Sequence, residues 1–352
     1  MSEAEPPGHA AADEQIRGDA SRPVTIAIIA ESAGVSVPTV SKVINGRSGV
    51  SADTRARVEA ALGKHGYRRP ATATRTRIME LVFRELESVW AVEIIRGVER
   101  VAKKNRVQVF ISDFGLHDAY RPDWLQQAPA HRPTCVISVA QLSAEERDEL
   151  KARGVPFVVF DPTTELPGDV PFVGATNWTG GQSAARHLIE QGHQRIAMIA
   201  GPDHILFCRA RLAGYRSAME SAGLSVDADL VLNTEHLTRD AGHAATRALL
   251  SREPRPTAIF ASSDLQAIGA YQAIREAGLR IPDDISVVGF DDLPIAAWVD
   301  PPLTTVRQPL TEMAATATEM ALAMGRGEHA TQVGVELATR LVVRASTAPP
   351  PS

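Results

Sequence analysis

The sequence has little of what an exported, membrane-spanning or redox-active protein needs. Its 352 residues include only 2 cysteines, Cys135 and Cys208, and neither lies in a metal-ligand cluster, so both are expected to be ordinary core thiols. Aromatic residues make up 5% of the chain, and no apolar run approaches the roughly eighteen residues of a membrane span. The N-terminus lacks the charged and apolar regions of a signal peptide. We therefore expect a cytoplasmic protein.

Phosphate-binding motifs are also missing. No Walker loop or dinucleotide fingerprint lies at a strand-to-helix turn, which disfavours a nucleotide-driven machine. Residues 1–22 contain almost no large apolar side chain and, with residues 348–352, are predicted to be disordered tails. The rest of the chain, with 44% hydrophobic and 22% charged residues overall, indicates a globular protein of two or three domains.

Positive charge is concentrated in one short stretch. Residues 21–79 hold ten Lys or Arg against three Asp or Glu, whereas the whole chain has a net charge of -5. A local basic excess in an acidic chain is typical of a small nucleic-acid-binding module.

The pattern of residues 23–67 predicts three short helices. Apolar residues recur at helical spacing from Ile26, and Gly34 then permits a turn. Ser36 is a good N-cap for a second helix, and Ser51 for a third. Two helices joined by a short Gly-containing turn form a helix-turn-helix, whose second helix enters the major groove of DNA. The alternative is a three-helix bundle whose positive face arose by chance.

The same stretch resembles the DNA-binding domain of the LacI/GalR family of bacterial transcriptional regulators. The segments that carry the resemblance are Thr25-Ile26, Ala33 to Ser36, Thr39 to Gly46, Val50-Ser51, Thr54-Arg55 and Gly66-Tyr67-Arg68. One departure is Ile28, which replaces the Asp usual in the first helix.

The resemblance implies a homodimer that binds a pseudo-palindromic operator, more specifically as a repressor. Base contacts are expected from three exposed positions of the second helix, namely Val37, Pro38 and Lys42. Phosphate contacts are expected from Thr39, Ser41, Asn45, Thr54 and Tyr67, and further DNA contacts from Thr25, Ser36 and Ser51.

The linker, residues 68–77, is shorter than in the family. Family members usually carry about six more residues, which form a hinge helix whose leucine wedges into the minor groove. Here there is no leucine, and Pro70 with three Thr disfavours a helix. We therefore predict that Arg75 and Arg77 reach phosphates or a narrow minor groove as an extended arm. A passive tether is the alternative.

From Ile78 onward, apolar runs alternate with amphipathic segments, which predicts βαβ repetition and parallel sheets. We expect an α/β core, residues 78–347, of two doubly wound halves: 78–161 with 293–322, and 162–292 with 323–347. The resemblance continues here and implies a periplasmic-binding-protein-like core that closes on a small effector, often a sugar.

Polar side chains follow several predicted strands, at the sheet edge where ligands of α/β proteins bind. Carboxylates accept from hydroxyls, an arginine donates, and an indole offers a flat apolar surface, so the set suits a polyhydroxylated ligand, although a nucleobase would fit nearly as well. The candidates are Trp90, Asp113, Asp161, Arg209, Ser263, Asp264 and Asp291. Each acidic residue could instead cap the following helix, Trp90 could fill the core, and Arg209 could face solvent.

The family's effector contacts carry over onto Asp161, Arg209 and Asp291. Ser263 replaces the family's usual Asn, and Val89-Trp90-Ala91 replaces Pro-Phe-Phe, so the identity of the effector stays open. The matching segments include Gly192 to Ala197, Arg209 to Tyr215, Pro256 to Ala261, Val287 to Asp292 and Pro301 to Pro309.

Three other functions are alternatives to this reading of the sequence. Gly181 to Ala185 weakly resembles the nucleophile elbow of a hydrolase around Ser183, but its last Gly is missing. The second alternative, an exported sugar-binding protein, would lack the basic helical domain at the N-terminus. The third alternative is a DNA-binding regulator whose cleft binds no ligand. The favoured hypothesis is an effector-responsive DNA-binding regulator, without enzymatic activity, cofactor or metal.

Overall fold

The computed structural model describes residues 25–44, 49–65, 67, 77–84, 86, 89–113, 133–328 and 332–351. The chain divides into two compact units, Met1–Thr76 and Arg77–Ser352.

The N-terminal unit contains the three predicted helices, α1 (Ile26–Ala33), α2 (Val37–Ile44) and α3 (Ala52–Lys64). The axes of α1 and α2 are turned by 104°. Gly34 makes this turn possible, because it adopts a left-handed conformation with φ 62°. Ile29, Val40 and Val58, one from each helix, are fully buried in a common core. The predicted apolar stripes are therefore confirmed.

The start of α3 is capped as the sequence predicts. Ser51 Oγ accepts from the backbone N–H of Thr54 at 3.3 Å, which satisfies one of the unpaired donors of the first turn. The predicted end of α2 at Asn45 and the predicted stop of α3 at Gly66 lie outside the described residues.

The C-terminal unit contains two six-stranded sheets. The first has the order β11-β5-β4-β3-β1-β2 and is parallel throughout. Its strands are β1 (Arg77–Phe83), β2 (Val107–Asp113), β3 (Cys135–Ser138), β4 (Phe157–Phe160), β5 (Phe172–Ala175) and β11 (Gly334–Leu337).

The second sheet has the order β12-β10-β9-β8-β6-β7, with β12 antiparallel to β10 and the other pairs parallel. Its strands are β6 (Ile196–Gly201), β7 (Val231–Asn233), β8 (Ala258–Ala261), β9 (Ser286–Asp291), β10 (Thr304–Arg307) and β12 (Arg340–Val342). The two-sheet parallel architecture confirms the predicted fold class.

Helices cover the sheets. In the first half, α4 (Val89–Lys104) packs against α10 (Leu310–Gly325), and α5 (Ala144–Ala152) follows β3. In the second half the packed pairs are α6 (Asn177–Glu190) with α7 (Leu206–Ser221), and α8 (Arg239–Leu250) with α9 (Asp264–Glu276). Among the described residues, no single helix is long and apolar enough to span a membrane. Only the bent pair of α1 and α2, counted together, has the length and hydropathy of a span.

The chain passes between the halves at three places, and these correct the predicted boundaries. The passages lie between β5 and α6, between β10 and α10, and between β11 and β12. The sequence interpretation assigned β5 and β11 to the second half and β10 to the first; the sheets show the reverse. A short apolar strand gives no sign of which sheet it joins, since pairing is decided by tertiary contacts.

Two chain boundaries also differ from expectation. Strand β1 begins at Arg77, which was predicted to belong to the linker, and its guanidinium donates to the carbonyl of Asn105 at 3.2 Å. At the other end, Ala348 belongs to the core rather than to a disordered tail, because its carbonyl accepts from His193 Nε2 and its N–H donates to Ser286 Oγ. Cys135 and Cys208 are buried free thiols, as predicted.

Candidate functional site

In the N-terminal unit, α2 presents its early residues to solvent. Val37 is 47% exposed, and Pro38 and Lys42 are exposed as well, whereas Val40 and Val43 of the same helix are buried. The three predicted base-reading residues therefore share the outer face of the second helix of the motif, the face that enters a major groove.

Pairs of hydroxyl groups lie at the starts of α2 and α3. Ser36 Oγ and Thr39 Oγ1 are 2.9 Å apart, and Ser51 Oγ and Thr54 Oγ1 are 2.8 Å apart. Both pairs lie at helix starts, where hydroxyls and backbone N–H groups can meet phosphates. Thr25, Ser36 and Ser51 are exposed, while Thr39, Ser41, Thr54 and Tyr67 are half-buried. Asn45 and Arg75 lie outside the described residues.

In the C-terminal unit, a cavity of about 230 Å³ lies where the ends of strands from both sheets meet. We call it the central cavity. It contains four of the predicted effector residues: Trp90 and Asp161 come from the first half, Ser263 and Asp291 from the second. The remaining lining residues are Val139, Thr163, Phe207, Arg211, Leu237, Leu265 and Leu293.

The cationic residue of this cavity is Arg211, and the prediction of Arg209 was wrong. The Arg209 side chain is 53% exposed and lies 3.8 Å from Glu165, whereas Arg211 is 2% exposed. Two residues on a helix point roughly 200° apart, so only one of the two arginines can face inward. The signal was present in the sequence, because Arg211 lies on the buried stripe of α7 that includes Cys208, Tyr215 and Ala218.

Arg211 is held by a dense set of partners. Its Nε donates to Asn177 Oδ1 at 2.8 Å, its Nη1 to the carbonyl of Ser262 at 2.6 Å and its Nη2 to Gln308 Oε1 at 2.9 Å. The guanidinium also lies 3.7 Å from the centroid of the Phe290 ring. These contacts fix the guanidinium in one position, 3.7 Å from Asp291 Oδ1.

Asp161 and Asp291 are both buried beside this guanidinium. Burial raises the pKa of Asp161, while Arg211 and a hydrogen bond from Gln308 act to lower it. Burial likewise raises the pKa of Asp291 to about 7, with Arg211 opposing the change and Asp161 adding to it. Desolvation penalises the charged form, so Asp291 changes its charge near neutral pH.

Two further predicted effector residues lie elsewhere. Asp264 is completely buried, and its carboxylate accepts from the N–H of Leu293 at 2.8 Å and from Thr305 Oγ1 at 2.5 Å. It ties α9 to the end of β9 and to β10, and the helix cap is Ser263. Asp113 ends β2, the edge strand of the first sheet, and does not line the central cavity. A residue's position after a strand does not show where that strand lies in the sheet.

The structure does not place Ser183 in a nucleophile elbow. Ser183 lies inside α6, where its hydroxyl donates to the carbonyl of Thr179 at 2.8 Å, so it does not form a strand-to-helix elbow. Within the described ranges, no group of three His, Cys, Asp or Glu side chains is placed to hold a metal ion.

A helix-turn-helix unit in one chain with a two-sheet core, whose strand ends meet around a cavity, defines the class of DNA-binding regulators with a small-molecule-binding core. Comparison with known proteins agrees. Residues 25–70 match the family of bacterial regulatory proteins of lacI type, and residues 185–347 match the periplasmic binding protein-like domain.

The chain is 35% identical over 339 residues to the transcriptional regulator CelR of Thermobifida fusca, covering 92% of this chain and 98% of that protein. A solved CelR–cellobiose complex superposes with a TM-score of 0.71 at 33% identity, covering 92% of this chain and 99% of the other. The lac repressor dimer bound to its operator and an anti-inducer gives 0.72 at 28% identity, covering 93% and 100%. The chain belongs to the LacI family of helix-turn-helix transcriptional regulators.

Proposed function

We propose that the protein is a homodimeric cytoplasmic repressor that binds an operator through its N-terminal units and a neutral sugar in the central cavity. The observation that carries the proposal is the convergence of Asp161, Arg211 and Asp291 with Trp90 in one small cavity. Carboxylates accept from sugar hydroxyls, and the indole provides an apolar surface for the ring. The CelR relative, solved with cellobiose, supports a saccharide as effector.

The charges of the cavity favour a neutral ligand. Three of the five N–H groups of Arg211 already donate to Asn177, Ser262 and Gln308, so at most two remain to donate to a ligand. The carboxyl groups of Asp161 and Asp291, when ionised, would repel an anion. A polyol that donates hydrogen bonds to both carboxylates meets no such repulsion, and this favours a sugar over an acidic metabolite.

The proposed switch follows from the placement of these groups on two halves. Asp161 follows β4 of the first sheet, and Asp291 ends β9 of the second. A ligand that hydrogen-bonds to both stabilises whichever arrangement of the halves brings them closest, and shifts the population towards it. In a dimer this would change the spacing of the two DNA-binding units, and operator affinity depends on that spacing.

Operator selection followed by titration tests the proposal. Full-length protein is used to select binding sites from random duplex DNA, and a panel of neutral sugars and purine nucleosides is then added to the complex. We expect one sugar to change the operator affinity at least tenfold. A response to a nucleoside alone would replace the sugar with a nucleobase ligand, and selection of no consensus sequence would contradict the regulator itself.

A further inference from the structure

A second and larger cavity, of about 430 Å³, lies beside the central one. We call it the side cavity. It is bounded by the loop of residues 162–170, by β5 and by the first residues of α6 and α7. Asp161 and Phe207 line both cavities, so the two cavities are neighbours that share these side chains. A ligand that occupied both cavities would have to pass Asp161 or Phe207.

The sizes of the two cavities indicate one sugar unit in each. Sites for drug-sized ligands have volumes of roughly 300–1,000 Å³, and the central cavity, at about 230 Å³, is smaller than that range. It has room for little more than a single ring. The two cavities together fall within the range, so a ligand of two rings would use the space that a ligand of one ring leaves open.

Trp178 gives the side cavity an aromatic wall. It lies in the first turn of α6 and is 44% exposed, and its ring has no aromatic partner among the residues that the structure describes. An indole offers a broad, rigid apolar surface with a single N–H donor at its edge. Phe207, half-buried at the junction of the two cavities, adds a second ring. Flat apolar surfaces of this kind suit the apolar face of a sugar ring.

The charged residues that line the side cavity are both acidic. They are Asp161 and Glu336, and the described lining residues include no Lys, Arg or His. Asn177 and Thr179 contribute amide and hydroxyl groups. This set can accept from and donate to hydroxyl groups, while a phosphate or carboxylate group would meet only negative charge.

Gly174 leaves room beside Asp161. A Cβ atom at this position would lie 4.0 Å from Asp161 Oδ1 and 3.9 Å from Pro162 Cδ, which are ordinary van der Waals distances. Asp161 Oδ2 accepts from Gln308, so Oδ1 is the oxygen on the Gly174 side. With no side chain at position 174, the space beside Oδ1 is not filled from β5, and Gly174→Ala would place a methyl group there at a distance that the fold can accept.

We propose that the side cavity binds the second ring of an oligosaccharide effector, with the first ring in the central cavity and Asp161 at the junction between them. The ring in the side cavity stacks on Trp178 and donates hydroxyl hydrogens towards Asp161 and Glu336. This proposal rests on the proposed sugar-binding function and specifies it: the effector is a neutral saccharide of at least two units.

Calorimetry on the full-length protein tests the proposal with matched monosaccharides and disaccharides. We expect the preferred disaccharide to bind at least tenfold more tightly than either of its component monosaccharides. Trp178→Ala and Gly174→Ala should each remove most of that difference and leave monosaccharide affinity within about twofold, while Trp178→Phe should retain part of it. Circular dichroism and operator binding, unchanged in all three variants, exclude a folding defect.

The outcomes separate the two proposals. If a monosaccharide binds as tightly as every disaccharide tested, or if Trp178→Ala weakens both ligands equally, the second-ring site is wrong while the sugar-binding function stands. If no saccharide binds the unaltered protein, the sugar-binding function fails and the second-ring site fails with it.

Discussion

Nε2 of Gln308 donates to Oδ2 of Asp161 over 3.0 Å and thereby joins the end of β10 in the second sheet to the end of β4 in the first. The other end of the same amide accepts from Arg211. A single side chain thus connects the carboxylate of one half to the guanidinium of the other. Gln308 lies at one of the three passages between the halves, so its two hydrogen bonds would change if the halves moved relative to each other.

The first prediction separates the two arginines of α7. Arg211→Ala should abolish the effector response and destabilise the protein by about 2–4 kcal/mol, because Asn177, Gln308 and Asp291 lose a buried charged partner. Arg209 is exposed and lies two residues away, so Arg209→Ala should keep the effector response and change the free energy of unfolding by no more than about 0.5 kcal/mol. Chemical denaturation and effector calorimetry on both variants measure this. Equal effects of the two substitutions would contradict the assignment.

The second prediction concerns pH. The pKa of Asp291 is raised to about 7 from an ordinary value near 3.8, so between these values the folded protein binds more protons than the unfolded chain. Stability is therefore lost as the pH rises through this window and stays low above it. Asp291→Asn cannot ionise. At pH 8, the unfolding temperature of the Asp291→Asn variant should exceed that of the unaltered protein by about 2–4 °C for each kcal/mol gained in the free energy of unfolding. Near pH 4 the two unfolding temperatures should be equal.

A stability difference that is the same at every pH would show that Asp291 does not titrate in this range. Asp240→Asn is the matched control, since Asp240 is exposed in the first turn of α8. Its substitution should leave the pH profile of the unfolding temperature unchanged.

The third prediction concerns base readout. Lys42→Ala should cost about 1–3 kcal/mol of operator affinity and relax preference at one base position, because a base contact carries sequence information and a phosphate contact does not. Lys64→Ala, which removes an exposed lysine from the last turn of α3, serves as control. Affinities against a set of single-base operator variants measure both. A uniform loss across all the variants would make Lys42 a phosphate contact.

The fourth prediction concerns the linker. Arg75→Ala should reduce the slope of log affinity against log salt concentration by about one, because one phosphate contact is lost. The substitution at Arg75 is cleaner than one at Arg77, whose guanidinium also donates to the Asn105 carbonyl. Bending should be small, because the linker lacks a wedging leucine. A sharp bend in a circular-permutation gel assay would overturn this prediction.

The parts of this fold that were predictable are those that local pattern determines. The apolar spacing of α1 to α3, the glycine turn at Gly34 and the cap at Ser51 all follow from interactions within a few residues. The alternation of strands and helices also follows from local pattern. It placed Asp161, Ser263 and Asp291 at the ends of strands, and these ends meet at the central cavity.

Long-range features were not predictable in the same way. The assignment of β5 and β10 to their sheets depends on pairing between distant segments, which no local pattern encodes. The exclusion of Asp113 follows from the edge position of its strand. The choice of Arg211 over Arg209 was available from the helical stripe of α7, but the role of Gln308 was not, because its contacts with Asp161 and Arg211 join segments far apart in the chain.

The central claim is that a ligand in the central cavity controls operator binding. Fluorescence anisotropy of a labelled operator, titrated with full-length protein with and without a saturating saccharide that calorimetry shows to bind, measures it most directly. We predict at least a tenfold change in operator affinity for the unaltered protein, and no change for Asp291→Asn although its affinity for the operator alone is normal. An operator affinity that stays the same when the bound saccharide saturates the unaltered protein would contradict the account.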